Sequence, residues 1–461
     1  MTTDVTADVS HPRGNTMHIT TKRRTLLAAA ALASATALVL TGCSGSSSNG
    51  TASKSITVQV QTGQEAEVAA FIKVFKKQHP GDTVKTVSVS QTAKTGSNLQ
   101  VLTSSNAPDV AIVPTNTQVF SRLTQGKQLL SLSDVWKKAD LQKLYGNSLA
   151  NSLKTNGTPY VVSIDSTIYN IVYYNKALFK KAGIATPTDH RIASLSDLES
   201  MVTKLKGIGK QGLSIGPGDN FQSSWMIDAF LPTASSTSQL QNYLTNWESS
   251  KTKITAKYTD APFVDSISRI QAMGKAGVFQ TGYLGQTVPQ SESNFVQQSA
   301  GMVLDGSYSP ATFKKDGINF DYDWALLPPI DSSKKTQVSL YNGDAYAIPA
   351  RAKNPTVAKQ FLESVMSAEG QTTTIASGSL PATNNVPKSA FSGTAVQVQE
   401  ILADEAKNGG QPGWTSVVPG GLGQQLVDPK IQELLNGNGS AQAIGQAVDS
   451  ELQTVRSGNA N

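Results

Sequence analysis

From Ile56 to Val60 apolar and polar residues alternate, the two-residue period of a strand with one buried face. Gly63 ends that run. Val68, Phe71, Ile72 and Phe75 then recur at helical spacing, and His79-Pro80-Gly81 closes the helix. Val84 to Val89 reads as the next strand, Leu99 and Leu102 as a short helix, and Asp109 to Val113 as another apolar strand. Further on, Ile168 to Tyr174 reads as one strand, and Ser196-Asp197-Leu198-Glu199 matches a capping box at the start of a helix carrying Val202 and Leu205. Leu213 to Ile215 is a strand that runs into a Gly216-Pro217-Gly218 loop. Pro355 opens a helix with Val357, Ala358, Phe361, Leu362 and Val365 on one face, and the chain is helical again toward Val455. This order of strands and helices predicts an α/β fold with largely parallel sheet.

The N-terminus departs from that pattern. Lys22, Arg23 and Arg24 precede an uncharged run from Leu26 to Leu40. That run is shorter than the roughly 20 residues a membrane-crossing helix needs, and a positive patch before a short apolar core reads as a secretory signal over residues 1–42. Residues 44–55 are almost all Ser, Gly, Asn and Thr, so residues 43–55 read as a flexible tether with a reach on the order of 20 Å. The whole chain has 461 residues, and what remains after the signal and tether is long enough for two or three domains.

Composition and charge mainly exclude. A formal net charge of +6, with the lysines scattered, gives no basic stripe for nucleic acid. Cys43 is the only cysteine, so disulfides and Cys-ligated metal are excluded. Beyond the signal the histidines are His79 and His190, each in a turn-like context and neither at metal-ligand spacing, so no metal and no cofactor are expected. Gly212-Leu213-Ser214-Ile215-Gly216 fits the letters of a nucleophile elbow, but Ser214 lies within a strand and no histidine follows His190. The Gly-Lys pairs at Gly126, Gly209 and Gly274 lack the Ser or Thr of a phosphate-binding loop. No catalytic residues are expected, and energy for any transport must come from a separate ATPase.

Several segments together resemble a known family. Leu40-Thr41-Gly42-Cys43 resembles a bacterial lipobox with Cys43 as the lipidated residue. Asn106-Ala107-Pro108-Asp109-Val110, Tyr173-Tyr174-Asn175-Lys176-Ala177-Leu178-Phe179-Lys180-Lys181-Ala182-Gly183-Ile184, Ala300 to Tyr308, and Ala347-Ile348-Pro349 with Lys353-Asn354-Pro355 resemble, in order, segments of the family 1 extracellular solute-binding proteins of ABC importers, the group that includes maltodextrin-binding protein. The resemblance implies a two-lobe, periplasmic-binding-protein-like fold of class II, each lobe a mixed sheet flanked by helices, joined by crossover strands. It places one lobe at residues 56–164 and 343–384 and the other at 165–342 and 385–461. It implies an extracytoplasmic, lipid-anchored monomer with a small-molecule carbohydrate ligand and ABC permease subunits as partners. A receptor of the same fold for glycerol phosphate, a polyamine or a peptide is the alternative, followed by a surface-anchored enzyme or adhesion module.

Sugars present apolar C–H faces that stack on aromatic rings, and hydroxyl edges that need amides and carboxylates. The candidate ligand-binding residues are therefore aromatic or short polar residues on loops after strands and at the implied crossovers: Gln64, Glu65, Asn116, Asp165, Ser166, Gln222, Trp225, Tyr308, Asn342, Asp344 and Trp414. After Cys43 the arginines are Arg122, Arg191, Arg269, Arg351 and Arg456. So few bidentate donors favour a neutral ligand over a phosphate or carboxylate.

Overall fold

In the computed structural model the chain is described over residues 54–458, except 63, 91–97, 146–148, 151–152, 248–249, 342–344, 377, 393–394 and 420. Cys43, Asn342 and Asp344 thus lie outside the described residues. The chain begins with β1 (Ser55–Gln61), α1 (Glu65–Gln78), β2 (Thr83–Val89), β3 (Ala111–Ile112), α2 (Gln118–Gln125) and β4 (Val161–Ser163). Next come β5 (Asp165–Tyr169), β6 (Ile171–Asn175), α3 (Leu195–Gly207), β7 (Gln211–Ser214), α4 (Gln222–Ala234), α5 (Ala261–Lys275), α6 (Val288–Val296) and β8 (Ala300–Asp305). The last part holds α7 (Ser309–Lys315), β9 (Tyr322–Leu326), β10 (Val338–Tyr341), β11 (Ala345–Ala347), α8 (Pro355–Val365), β12 (Leu380–Pro381), α9 (Val396–Asn408), β13 (Gly410–Pro412) and α10 (Ala441–Gly458).

Two large hydrophobic clusters divide these elements. One gathers Val58, Phe71, Phe75, Val110, Tyr346 and Phe361, drawing on residues 56–164, then 345–366, then Ala382. The other gathers Tyr174, Leu213, Phe230, Phe263, Leu304 and Val448 from residues 172–327 and 414–452. Each large apolar side chain buried this way is worth roughly 1.5–3 kcal/mol, which lets both lobes fold with no disulfide. A smaller cluster with Ile168, Tyr173, Trp324 and Val338 backs the second lobe.

The sheets are mixed rather than largely parallel. β1 and β2 run parallel, as do β7 and β8, but β6 pairs antiparallel with both β8 and β9, and β11 antiparallel with β3 and β4. The antiparallel strands are those by which the chain leaves or re-enters a lobe. A separate sheet, in the order β12-β5-β10-β13, is assembled from these passages. In it Ser339 faces Tyr169 and Tyr341 faces Thr167 across β5 and β10, while Leu380 of β12 faces Ser166.

The single strand expected from Ile168 to Tyr174 is two. Asn170 adopts φ +63°, and β5 ends there. Asparagine tolerates this left-handed conformation better than most residues. Its side chain fastens the break to β10, accepting from Ser339 N at 3.2 Å and donating to the Gln337 carbonyl at 3.2 Å. The residue therefore turns the chain out of the connecting sheet and into the second lobe. The cap of α3 also differs from expectation. Ser194, not Ser196, accepts from the backbone N–H three residues on, at Asp197.

Candidate functional site

Alternation along β5 puts Asp165, Thr167 and Tyr169 on one face of the connecting sheet and Ser166 and Ile168 on the other. Tyr169 is the centre of an aromatic group. Trp225 stacks on it at 4.4 Å between ring centroids and 17° between planes. Tyr308 meets it edge-on at 6.4 Å and 79°, and Tyr341 at 5.6 Å. Phe221 packs against Trp225 from behind at 5.4 Å.

The local sequence explains how these rings are held. Helix α4 is buried all around from Gln222 to Leu231, so its first turn is fixed within the second lobe and delivers Trp225 at 4% exposure. Tyr308 follows β8 through Gly306, where a Cβ would lie 2.5 Å from the Tyr308 ring; only glycine leaves room for the tyrosine. Ser307 N donates to the Ile168 carbonyl at 2.8 Å and Ser307 Oγ accepts from Ile168 N at 3.1 Å, tying this loop to β5. The Tyr308 side chain is half-buried, and burial, then the charge of Asp305, pushes its hydroxyl pKa well up, so it stays a neutral donor. Asp305 and Glu292 form a buried carboxyl pair behind it; burial raises the pKa of both, the Asp305 charge raises Glu292 further, and hydrogen bonds from Tyr308 and Glu292 temper the rise at Asp305.

The other sequence candidates separate into distinct surroundings. Gln64 is half-buried at the N-terminus of α1, and Glu65 is exposed in its first turn. Asp165 is buried at 4% exposure opposite Pro381. Ser166 lies on the opposite face of β5, where it lines a cavity of about 520 Å³ with Tyr145, Leu380, Asn384, Glu405 and Pro412. Asn116, on the loop after β3, reaches the second lobe: its Nδ2 donates to the Ser416 carbonyl at 3.1 Å and the Val418 carbonyl at 2.9 Å.

Two candidates are placed inside the second lobe rather than on a surface. Gln222 is fully buried, its amide oxygen accepting from Gly216 N and its Nε2 donating to the Leu304 carbonyl. Trp414 is 1% exposed, packed among Tyr258 and Phe263, with Nε1 donating to Tyr258 Oη at 2.9 Å. Both side chains satisfy interior groups, so neither offers a free polar edge to a ligand. Tyr169 and Tyr341 were not among the sequence candidates. Their signal is a tyrosine on the polar-facing register of strands that connect two lobes.

Ser214 is fully buried within β7, where its Oγ accepts from Asn294 Nδ2 at 3.1 Å. The flanking glycines answer to packing: a Cβ on Gly212 would lie 2.5 Å from the Val278 carbonyl. Among the described residues one group, His190, Asp323 and Glu400, brings a ring nitrogen and two carboxylates within 4.8 Å of one another. His190 ends the short turn Thr188–His190, in keeping with its expected context, and is half-buried. Its ring stacks on Trp324 at 4.2 Å and its Nδ1 lies 2.9 Å from the Trp324 carbonyl, while Glu400 accepts from the Trp324 indole at 3.3 Å. These three residues thus support a buried tryptophan and have no place in the aromatic group.

Comparison with known proteins is in keeping with this architecture. The chain belongs to the bacterial extracellular solute-binding protein family, whose model matches residues 59–372. An uncharacterised ABC transporter extracellular-binding protein of Pyrococcus horikoshii is 24% identical over 387 residues, 80% of this chain and 83% of that protein. Among solved structures, a chitin oligosaccharide binding protein superposes with a TM-score of 0.72 at 18% identity, covering 88% of this chain and 99% of the other. RafE in complex with raffinose gives 0.66 at 17% identity, covering 87% and 100%. These likenesses establish the two-lobe solute-binding fold. Among the described residues no helix is long and apolar enough to cross a membrane.

Proposed function

We propose that this solute-binding protein is the receptor of an ABC importer, that it captures a sugar or short oligosaccharide between its lobes, and that a lipid on Cys43 anchors it to the extracytoplasmic face of the cell membrane. The observation that carries the ligand class is the aromatic group of Tyr169, Trp225, Tyr308 and Tyr341 on the connecting sheet. Trp225 is buried and backs Tyr169, and the partly exposed rings of Tyr169, Tyr308 and Tyr341 offer apolar surface to pyranose C–H groups. Asp165, on the same strand face as Tyr169, adds a carboxylate acceptor for sugar hydroxyls.

A neutral solute suits the arginines as well. Arg191 is paired with Asp404 at 2.7 Å, and Arg456 donates to the carbonyls of Asn246, Ser250 and Thr252. Both are occupied in holding the second lobe together, so neither is available as a bidentate clamp for an anion. The names of two structural relatives, one for chitin oligosaccharide and one in complex with raffinose, point to the same class. Ligand contacts drawn from both lobes at once would favour closure, because only the closed form makes both sets. The protein itself supplies binding and presentation, and leaves the sugar unchanged.

A thermal-shift screen against neutral mono- and oligosaccharides, amino acids, polyamines and phosphorylated sugars tests the proposal. A rise in melting temperature with at least one neutral sugar, recovered intact by chromatography, is the expected result. Stabilisation by the amino acids, polyamines or sugar phosphates alone would overturn it.

A further inference from the structure

The contact made by Asn116 joins two pieces of the molecule that are each held by hydrogen bonds of their own. On the first-lobe side Asn116 immediately precedes Thr117, whose Oγ1 caps α2 by accepting from Phe120 N at 3.2 Å and donates to the Pro114 carbonyl at 2.7 Å. On the second-lobe side the acceptors belong to the segment 413–418. Gly413 N donates to the Leu340 carbonyl of β10 at 3.1 Å, and Ser416 Oγ donates to the same carbonyl at 3.1 Å. Val418 N closes the turn on the Trp414 carbonyl at 3.0 Å.

Beneath this segment lies Asp228 of α4, 1% exposed. Its Oδ1 accepts from Thr415 N at 3.1 Å and its Oδ2 from Thr415 Oγ1 at 2.8 Å. The approach is so close that a Cβ on Gly413 would lie 2.6 Å from Asp228 Oδ2. With its N–H groups turned inward to Asp228, Leu340 and Trp414, the segment presents the Ser416 and Val418 carbonyls outward, and the single amide of Asn116 meets both.

We propose that Asn116 is a positioning residue that latches the two lobes by protein-to-protein hydrogen bonds alone, with Asp228 holding the receiving segment in place, so that a closed form exists before ligand arrives. The reading rests on the lobes closing around a solute, but not on which solute it is. A pre-existing closed population raises apparent affinity in proportion to that population. Two ordinary hydrogen bonds correspond to a shift of roughly 5- to 150-fold in the closed-to-open ratio.

Pulsed electron paramagnetic resonance between spin labels at Lys73→Cys in α1 and Asp265→Cys in α5, in a Cys43→Ser background, reads that ratio without ligand. The labelled protein is expected to show two distance populations. Asn116→Ala should deplete the closed one, and Asn116→Asp, which keeps the shape but loses the donor, should deplete it equally. Asp228→Asn, with the fold verified by circular dichroism, should do so partially. A sugar found by the screen should restore the closed population in the variants, with a faster off-rate than in the unmutated protein. A single ligand-free distance, identical in the parent and in Asn116→Ala, would overturn the latch while leaving the sugar reading intact. Failure of every sugar to close any of the proteins would instead strike the sugar reading.

Discussion

Replacing Tyr308 by alanine removes one wall of the aromatic group and leaves the others standing. The loss has two parts. The ring face no longer covers a sugar ring, a contact worth about 1–3 kcal/mol by the burial of a large apolar side chain. Tyr169 also loses its edge-on partner at 6.4 Å, a geometry worth about 0.5–1.5 kcal/mol, which loosens the ring at the centre of the group. The first part acts on affinity alone, while the second acts on both affinity and stability. The first part alone should raise the dissociation constant roughly 5- to 150-fold, at about 1.4 kcal/mol per tenfold. Stability should fall by less than the roughly 3–5 kcal/mol of a fully buried aromatic truncation, because the Tyr308 side chain is half-buried. Tyr308→Phe separates ring from hydroxyl and should retain most of the affinity if stacking dominates. Isothermal titration calorimetry with the best sugar gives the constants, and circular dichroism melts give the fold control. A properly folded Tyr308→Ala that binds as tightly as the parent would refute the placement of ligand against this ring.

Trp414→Ala should act chiefly on stability, losing about 3–5 kcal/mol in chemical denaturation through cavity formation and the lost indole hydrogen bond to the Tyr258 hydroxyl. Burial pushes Asp228 up to about 7 against its bonds from Thr415, and Asp428 up to about 7 against its bonds from Ser224. Their folded pKa values lie above the ordinary carboxylate value, so their stabilising contribution is complete near pH 4 and lost as pH rises through about 7. Asp404, which burial alone would raise, is held below its usual value by Arg191 and works in the reverse sense, losing its contribution as pH falls below 4. The melting temperature should accordingly peak in mild acid and decline from pH 5 to pH 8, and Asp428→Asn should flatten that decline; a melting temperature that rises over this interval would contradict the assignment. At the N-terminus, mass spectrometry of the cell-derived protein should find a mature chain beginning at an acylated Cys43, whereas an unmodified terminus at or beyond Ser44 would remove the lipid anchor.

Much of the fold was legible because it depends on periods that packing preserves. The alternation in β1 and the helical spacing of Phe71 and Phe75 led directly to buried positions. The break at Asn170 was not legible, since one asparagine in an otherwise apolar or aromatic run from Ile168 to Tyr174 does not by itself end a strand, and only the hydrogen bonds to Gln337 and Ser339 show why the strand must turn. The mixed sheets were equally hidden in the residues themselves, because strand direction is decided by where the chain crosses between lobes. At the site, Trp225 and Tyr308 were identifiable as aromatics after strands, and the structure sets both against Tyr169. Trp414 and Gln222 looked the same in sequence and proved interior, since whether a residue after a loop faces a cleft or a core is set by contacts from distant segments such as Tyr258 and Leu304. Tyr169 and Tyr341 were overlooked for the converse reason: the connecting strands read as core until their pairing shows which face is left for a ligand.

The most direct test of the account is a crystal structure of the protein with the neutral sugar that stabilises it most. The account predicts a pyranose ring lying within van der Waals distance of Trp225 or Tyr308, on the Asp165–Thr167–Tyr169 face of β5, with groups from both lobes reaching its hydroxyls. A sugar seated instead on the Ser166 face, in the cavity beside Tyr145 and Glu405, or no ordered sugar between the lobes at saturating concentration, would contradict it.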